Sequence, residues 1–328
     1  VKILLTGGTG FLGKNVARRL AAHGHALRVL ARGGSNLEGL PAGAETVRGD
    51  VTDGDSLRRA AAGCGALVHL AALVKSWVPD PARFEAVNVG GLTNALGAAR
   101  EAGARLVYTS SFIAVGPAGP LPADETRVHP GGVFRNAYER TKARADGLAR
   151  EAAAGGEDVV MLYPGVVYGP GEMTDGNLVV KMVADHLRGR FPGLIGPGDR
   201  LWSYAFVEDV AEGHALALER GGRGERYFLG GENVSLNGFF ALLQEVAGVP
   251  PPRRHIPYGV ASLLGHGLVL WAELTGHPPL LTHEVVNVFR EHWAYSSAKA
   301  ERELGYRPTP LREGLRRTVD WLRAQGVA

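Results

Sequence analysis

The sequence predicts a doubly wound parallel α/β sheet with a smaller, mainly helical lobe attached, on three observations. Short apolar runs alternate with helical ones from residue 1 to about 168. The first of them (Val1, Ile3, Leu4, Leu5) stops at Thr6, and Gly7, Gly10 and Gly13 follow at three-residue spacing before an amphipathic stretch, 14–23. The chain has 328 residues, 45% of them hydrophobic, which is more than one domain usually holds and enough for a second lobe. Alternation of this kind buries a parallel sheet under helices on both faces.

In order, strands are expected at 2–5, 27–31, 46–48, 66–70, 105–109 and 159–163, with helices at 14–23, 56–62, 84–102 and 137–154. Past 168 the alternation weakens and Gly and Pro become frequent (GPGEM, FPGLIGPGDR). The run 206–218 reads as a helix returning to the sheet and 226–229 as a further strand; 235–246 reads as a helix capped by Ser235. The remainder is mainly helical. The expected division is 1–168 with 207–231 in the large domain, and 169–206 with 232–328 in the lobe.

Composition narrows the function. Lys and Arg total 36 against 33 Asp and Glu, a net charge of +3 with no basic block, so nucleic acid is not an expected partner. The single cysteine, Cys64, excludes an intrachain disulfide, suits a reducing, cytoplasmic setting and reads as structural. No secretory signal is visible. The longest apolar stretch, 260–274, contains His266 and Glu273 and is too short to span a bilayer, so it is expected to pack in the lobe or in a subunit interface. His283, Glu284 and His292 are scattered, and no metal is expected.

Strand, glycine turn and helix at the start of a βαβ unit make a dinucleotide site. Gly7 permits the tight turn, Gly10 admits a pyrophosphate without a Cβ in its way, and Gly13 lets the helix pack close to the strand. Thr9, Phe11 and Leu12 complete this cofactor loop. The second strand ends at Ala31 and Arg32 with no acid, and Arg32 suits a 2′-phosphate where a carboxylate would repel it. NADP(H) is therefore expected over NAD(H), with Ser35 a weaker phosphate contact.

Ligands on such a sheet lie beyond the carboxyl ends of the strands. There Asp50 can accept from an adenine amino group with Val51 over the ring, while Asp53 reads as a helix cap. Small Ala71 and Ala72 let the cofactor lie against the backbone. His69 reads as structural, Asn88 as a backbone clamp, and Trp77 as a substrate contact.

The fifth strand delivers Thr109, Ser110 and Ser111 to the same edge. Further on, Tyr138 and Lys142 are four apart on a helix, hence on one face. Hydride reduction of a carbonyl needs a proton donor, a second hydrogen bond to the oxygen, and a charge that makes the donor acidic enough. A free phenol, with its pKa near 10, needs that help at neutral pH. Tyr138 is the expected acid or base, Lys142 its tuner and a holder of the cofactor ribose. Ser111 is the expected carbonyl anchor, preferred over Ser110 because it lies five residues before Gly116. Phe112 and Tyr204, with Arg200, Trp202 and Met173, are candidates to line the substrate pocket.

Together TGGTGFLG, GDVTD, HLAA, VYTSS, YERTK, YPGVVYGPG and FVEDVAEGHALALERG resemble the extended short-chain dehydrogenase/reductase superfamily, in its dihydroflavonol-4-reductase-like branch within the NAD-dependent epimerase/dehydratase proteins. The resemblance covers nearly the whole chain. It implies a Rossmann-type fold, the Ser111–Tyr138–Lys142 roles, and Pro164, Gly165 and Val166 flanking the nicotinamide. It also implies a homodimer paired through the helices 84–102 and 137–154. Sugar-nucleotide epimerases typically carry Arg and Asn before YGP; here Tyr163 to Val167 has neither. A small-molecule carbonyl reductase is thus expected. A nucleotide-sugar epimerase or dehydratase using NAD, and a non-catalytic NADP sensor, are the alternatives.

Overall fold

The computed structural model describes residues 1–327. Its strands are β1 (Lys2–Thr6), β2 (Ala26–Ala31), β3 (Glu45–Arg48), β4 (Ala66–His69), β5 (Arg105–Thr109), β6 (Val159–Pro164), β7 (Val166–Tyr168), β8 (Leu194–Ile195), β9 (Leu201–Phe206), β10 (Arg226–Leu229), β11 (Asn233–Ser235) and β12 (His255–Ile256). Seven form a wholly parallel sheet in the order β3-β2-β1-β4-β5-β6-β10. The inner strands β4 and β6 are buried throughout, as their near-continuous apolar runs require; β3 at the edge is largely exposed.

The helices of this half are α1 (Phe11–Ala22), α2 (Gly54–Ala61), α3 (Ala82–Phe84), α4 (Gly91–Ala102) and α5 (Ala137–Ala154). A π-helical turn, Glu85–Gly90, joins α3 to α4, so the helix expected at 84–102 is continuous in course but changes its winding at its start. On one face of the sheet α2, α4 and α5 cover Leu4, Leu67, Leu106 and Met161; on the other α1 covers Ile3, Leu5, Val68 and Val107. The chain order reverses on either side of β1, and the crevice at the carboxyl ends of β1 and β4 is where ligands sit in such sheets.

After Gly165 the chain leaves this sheet. β7 pairs with β9, and β9 with β11, in a three-stranded sheet that the sequence patterns did not announce, because β7 and β11 have three residues each, too few for a period to show. α6 (Leu178–Leu187) belongs to this part, while α7 (Val207–Arg220) returns to the large sheet beside α1, as expected. Then follow α8 (Leu236–Ala247), capped by Ser235 Oγ on the Gly238 amide at 3.2 Å, α9 (Tyr258–Thr275), α10 (His283–Phe289), α11 (Ala298–Leu304) and α12 (Leu311–Ala324). A third core joins α6, α8 and α12 through Val183, Phe239, Phe240, Leu243, Leu315 and Leu322. Of the apolar stretch expected in the lobe or in a subunit interface, only Ala261, Gly265 and Ala272 on α9 are buried within the chain. Among the described residues no helix is long and apolar enough to cross a membrane.

Candidate active site

The glycine turn does what its spacing requires. Gly7 has φ +71°, and a Cβ on it would stand 2.7 Å from the Ala71 amide nitrogen. A Cβ on Gly13 would stand 2.0 Å from the Gly7 carbonyl oxygen, so the first turn of α1 lies directly on the strand end. Gly10 is different: it is exposed, and a Cβ there has one neighbour within 4 Å, the Gly7 oxygen at 3.5 Å. α1 has no side-chain cap and no acid in its first turn, so its leading N–H groups point into that open space. A dinucleotide pyrophosphate fits this cradle. Phe11 is buried against the second lobe, where a Cβ on Gly171 would meet its ring at 2.7 Å; Thr9 and Leu12 are half-buried. Lys14 Nζ pairs with Glu172 at 2.8 Å, which ties the cofactor loop to the chain just past β7.

At the end of β2, Arg32 is exposed and its carbonyl accepts from the Ser35 amide at 3.2 Å. Sequence reasoning missed its neighbour Arg48, at the end of β3, whose guanidinium lies 3.0 Å from where a Cβ on Gly33 would stand. Parallel pairing of Ala31 with Arg48 brings the two cations to one corner, a signal visible only once the register is known. Asp50 Oδ1 already accepts from the Thr52 amide and hydroxyl, both at 2.9 Å, so this oxygen is engaged in its own turn. Val51 is buried and packs against Gly91. Asp53 caps α2 through the amides of Asp55 and Ser56, at 3.0 and 3.2 Å, as expected.

Around β4, His69 is buried and structural, its Nδ1 2.9 Å from Thr6 Oγ1. Burial, with the Lys142 charge behind it, holds the ring neutral and its pKa down to about 3. Ala71 and Ala72 are half-buried, as is Trp77 in the loop beyond. Asn88, on the π-helical turn, clamps that loop: its Oδ1 accepts from the Leu73 amide at 2.7 Å and its amide donates to Thr141 Oγ1 at 3.0 Å.

The serines at the end of β5 face different ways. Ser110 donates to Asp146 at 3.1 Å, inside the protein. Ser111 lies beside Tyr138, close enough to act on its phenol, and its hydroxyl accepts from the Ile113 amide at 3.4 Å. Tyr138 stands at the start of α5, where Asn136 caps the helix on the Glu139 amide at 2.7 Å. Glu139 is wholly buried and binds Arg135 and His129, both at 3.0 Å, which fastens the loop before α5.

Lys142 is buried and donates to the Thr109 carbonyl at 2.9 Å and to Tyr108 Oη at 3.1 Å. Thr109 is itself held by His214. His214 Nδ1 lies 2.7 Å from the Val210 carbonyl, so it carries the proton, and Nε2 accepts from the Thr109 hydroxyl at 2.9 Å. Burial keeps that ring neutral, its pKa down to about 4. Burial also pushes Lys142 down to about 7, against the pull of Asp146. Asp146 lies four residues beyond Lys142 on α5, a second group missed from sequence although it continues the Tyr138–Lys142 stripe.

One expectation needs correcting. The ammonium was expected to make the phenol more acidic, whereas Tyr138 is pushed up to about 12 by burial, with the nearby Ser111 working the other way. Desolvation exceeds the help, and Lys142 spends its hydrogen bonds on Tyr108 and Thr109.

Gly165 is hemmed in: a Cβ would stand 2.5 Å from the Ser203 carbonyl oxygen. Pro164, Gly165 and Val166 thus mark the step from the large sheet to the small one. Beside Ser111, Phe112 meets Trp293 edge-on at 5.5 Å, and Trp202 lies 5.2 Å from Phe289 and 6.4 Å from Trp293. Tyr204 is not part of this wall. It is buried with Phe239 at 4.8 Å and Tyr168 at 6.4 Å, so it packs the lobe core and is no candidate for substrate contact.

The chain matches the NAD dependent epimerase/dehydratase family over residues 3–230. It is 34% identical to a Synechocystis sp. protein named "Putative dihydroflavonol 4-reductase", over 98% of this chain and 94% of that one. It is also 34% identical to 4-hydroxy-2-methyl-3-oxo-4-farnesyl-3,4-dihydroquinoline-1-oxide ketoreductase of Stigmatella aurantiaca, over 93% and 92%. Of solved structures, that of gox2253 superposes with a TM-score of 0.82 at 34% identity, covering 99% of this chain and 98% of the other. The chain belongs to the NAD-dependent epimerase/dehydratase family, NAD(P)-dependent enzymes of the extended short-chain dehydrogenase/reductase type.

Proposed function

We propose that the protein is a cytoplasmic, NADP(H)-dependent reductase of a ketone or aldehyde, working through Ser111, Tyr138 and Lys142. The observation that carries this reading is the placement of Ser111 beside Tyr138 at the carboxyl edge of the sheet, with Lys142 one helical turn behind. A bound nicotinamide cofactor supplies the hydride. Ser111 and Tyr138 present two hydroxyls to one carbonyl oxygen. Tyr138, neutral well above pH 7, is in the form that can donate a proton as the oxygen gains charge. Lys142, fixed by Thr109, places a cation beside the developing phenolate and toward the cofactor ribose. Thr9, Gly10, Ala71, Ala72 and the 164–166 step provide the cofactor bed, in a large domain of 1–168 and 207–231. The lobe of 169–206 and 232–328 supplies the apolar wall, and a homodimer would pair through 84–102 and 137–154.

The test is a panel of ketones and aldehydes with NADPH oxidation as the readout. Carbonyl-dependent oxidation supports the proposal. Tightly held NAD that does not exchange, with turnover of a nucleotide sugar, establishes the epimerase instead; tight NADPH without turnover of any carbonyl leaves a sensor.

The exposed Arg32 and adjacent Arg48 support the preference for NADP(H). A charge-assisted contact to phosphate contributes about 1.5–3 kcal/mol. Arg32→Ala should therefore weaken NADPH binding by about 10–100-fold in a fluorescence titration and leave NADH within about twofold. NADH binding tighter than NADPH in the wild type removes the phosphate argument.

A further inference from the structure

α9 carries its buried residues, Ala261, Gly265 and Ala272, on one side, against α10. Contact there is close: a Cβ on Gly265 would stand 2.5 Å from the His283 amide nitrogen. The opposite side has no cover. Val260, Leu263, Leu264, Gly267, Leu270, Trp271 and Leu274 recur at three- and four-residue intervals and fall on one stripe, roughly 120° wide at about 100° per residue. All are exposed, Leu263 and Leu274 to 77% and Trp271 to 62%, and Leu280 just beyond the helix reaches 90%. Isolated exposed leucines are ordinary, but a contiguous stripe of them marks a contact surface.

The charges around the stripe say what covers it. Arg253, Arg254 and His255 lie directly before the helix, all exposed, and neither arginine is in an ion pair among the described residues. From 253 to 283 the only acid is Glu273, which at about 100° per residue falls outside the stripe. A second copy laid on this face would set the arginine pair against its equivalent, or against an end whose one acid is Glu273. Neither arrangement neutralises it. Anionic headgroups do, over an acyl layer that takes up the leucines, with Trp271 at the boundary. The helix is not long and apolar enough to span, so it lies in the plane of the surface.

We propose that α9 docks the protein on an anionic lipid bilayer, with its apolar stripe in the headgroup–acyl boundary and Arg253 and Arg254 on the headgroups. The surface is coupled to the candidate site. α10, packed on α9, is followed by Glu291, which pairs with Arg135 at 3.1 Å just ahead of Tyr138, and Phe289 at its end adjoins the Trp202–Trp293 wall. Docking so placed keeps α10 and that wall behind α9, one helix removed from the lipid, and the proposal stands whether or not the catalytic reading does.

The test is flotation of the full chain with phosphatidylcholine vesicles, with and without phosphatidylglycerol. Binding is expected with phosphatidylglycerol and is weakened by salt. Leu263→Asp with Leu270→Asp should lower it at least tenfold without changing the circular dichroism spectrum or Tm, since both side chains are exposed. Arg253→Gln with Arg254→Gln should weaken binding to the anionic vesicles about tenfold or more, at about 1 kcal/mol per cation. Absence of flotation overturns the proposal, as does flotation unaffected by the paired aspartates. A dimer that those aspartates dissociate, in a protein that ignores vesicles, assigns the face to a second copy and overturns it equally.

Discussion

Tyr138→Phe is expected to lower kcat for carbonyl reduction by about 10²–10⁴-fold, the range for loss of a positioned general acid. NADPH affinity should stay within about threefold, because the cradle is made by the first turn and not by the phenol. The physical ground is the placement of the hydroxyl. It lies beside Ser111, is kept protonated by burial up to about 12, and stands one turn from Lys142, which is anchored on a carbonyl. Tm should hardly move, since phenylalanine keeps the ring. Single-turnover reduction with saturating NADPH separates chemistry from binding. Activity within a few-fold of wild type would remove Tyr138 from the mechanism and leave the proton donor unassigned.

The second large effect belongs to the glycine turn, where two neighbouring substitutions should behave differently. Gly13→Ala forces a methyl to 2.0 Å from the Gly7 carbonyl oxygen and 2.8 Å from Gly8 Cα, both backbone atoms that cannot rotate aside. It should cost about 1–3 kcal/mol of stability, as overpacking does, and weaken NADPH at least tenfold because the cradle itself shifts. Gly10→Ala meets open space, at φ −84°, which alanine accepts. It should leave stability unchanged in denaturant titration and weaken NADPH alone. Equal binding losses and equal stability losses for the two would mean that Gly10 serves the turn and not a ligand. Unchanged NADPH affinity in both would place the cofactor elsewhere.

Much of the fold was legible because its signals are local. Apolar runs two-faced by burial gave β1, β4, β5 and β6; the Asp53 and Ser235 caps gave the starts of α2 and α8. The Tyr138–Lys142 face of α5 follows from helical period alone. What stayed hidden depended on contacts between distant segments. Two-residue strands such as β8 and β12 have no period to read. Arg48 joins Arg32 only through strand register, and Tyr204 turned out to be core because α8 supplies Phe239 to cover it.

By itself, then, the sequence determined the parallel sheet, the glycine turn, the serine-ended strand and the order of the hydroxyl and ammonium on one helix, since each is set by spacing along the backbone. Tertiary structure decided which serine faces the phenol and which serves Asp146. It also decided that the phenol sits neutral, and that α9, expected in the lobe or in a subunit interface, lies with its leucines in the open within this chain. Those outcomes turn on burial and on partners brought from far along the chain, and desolvation depends on every atom nearby, which no local pattern records.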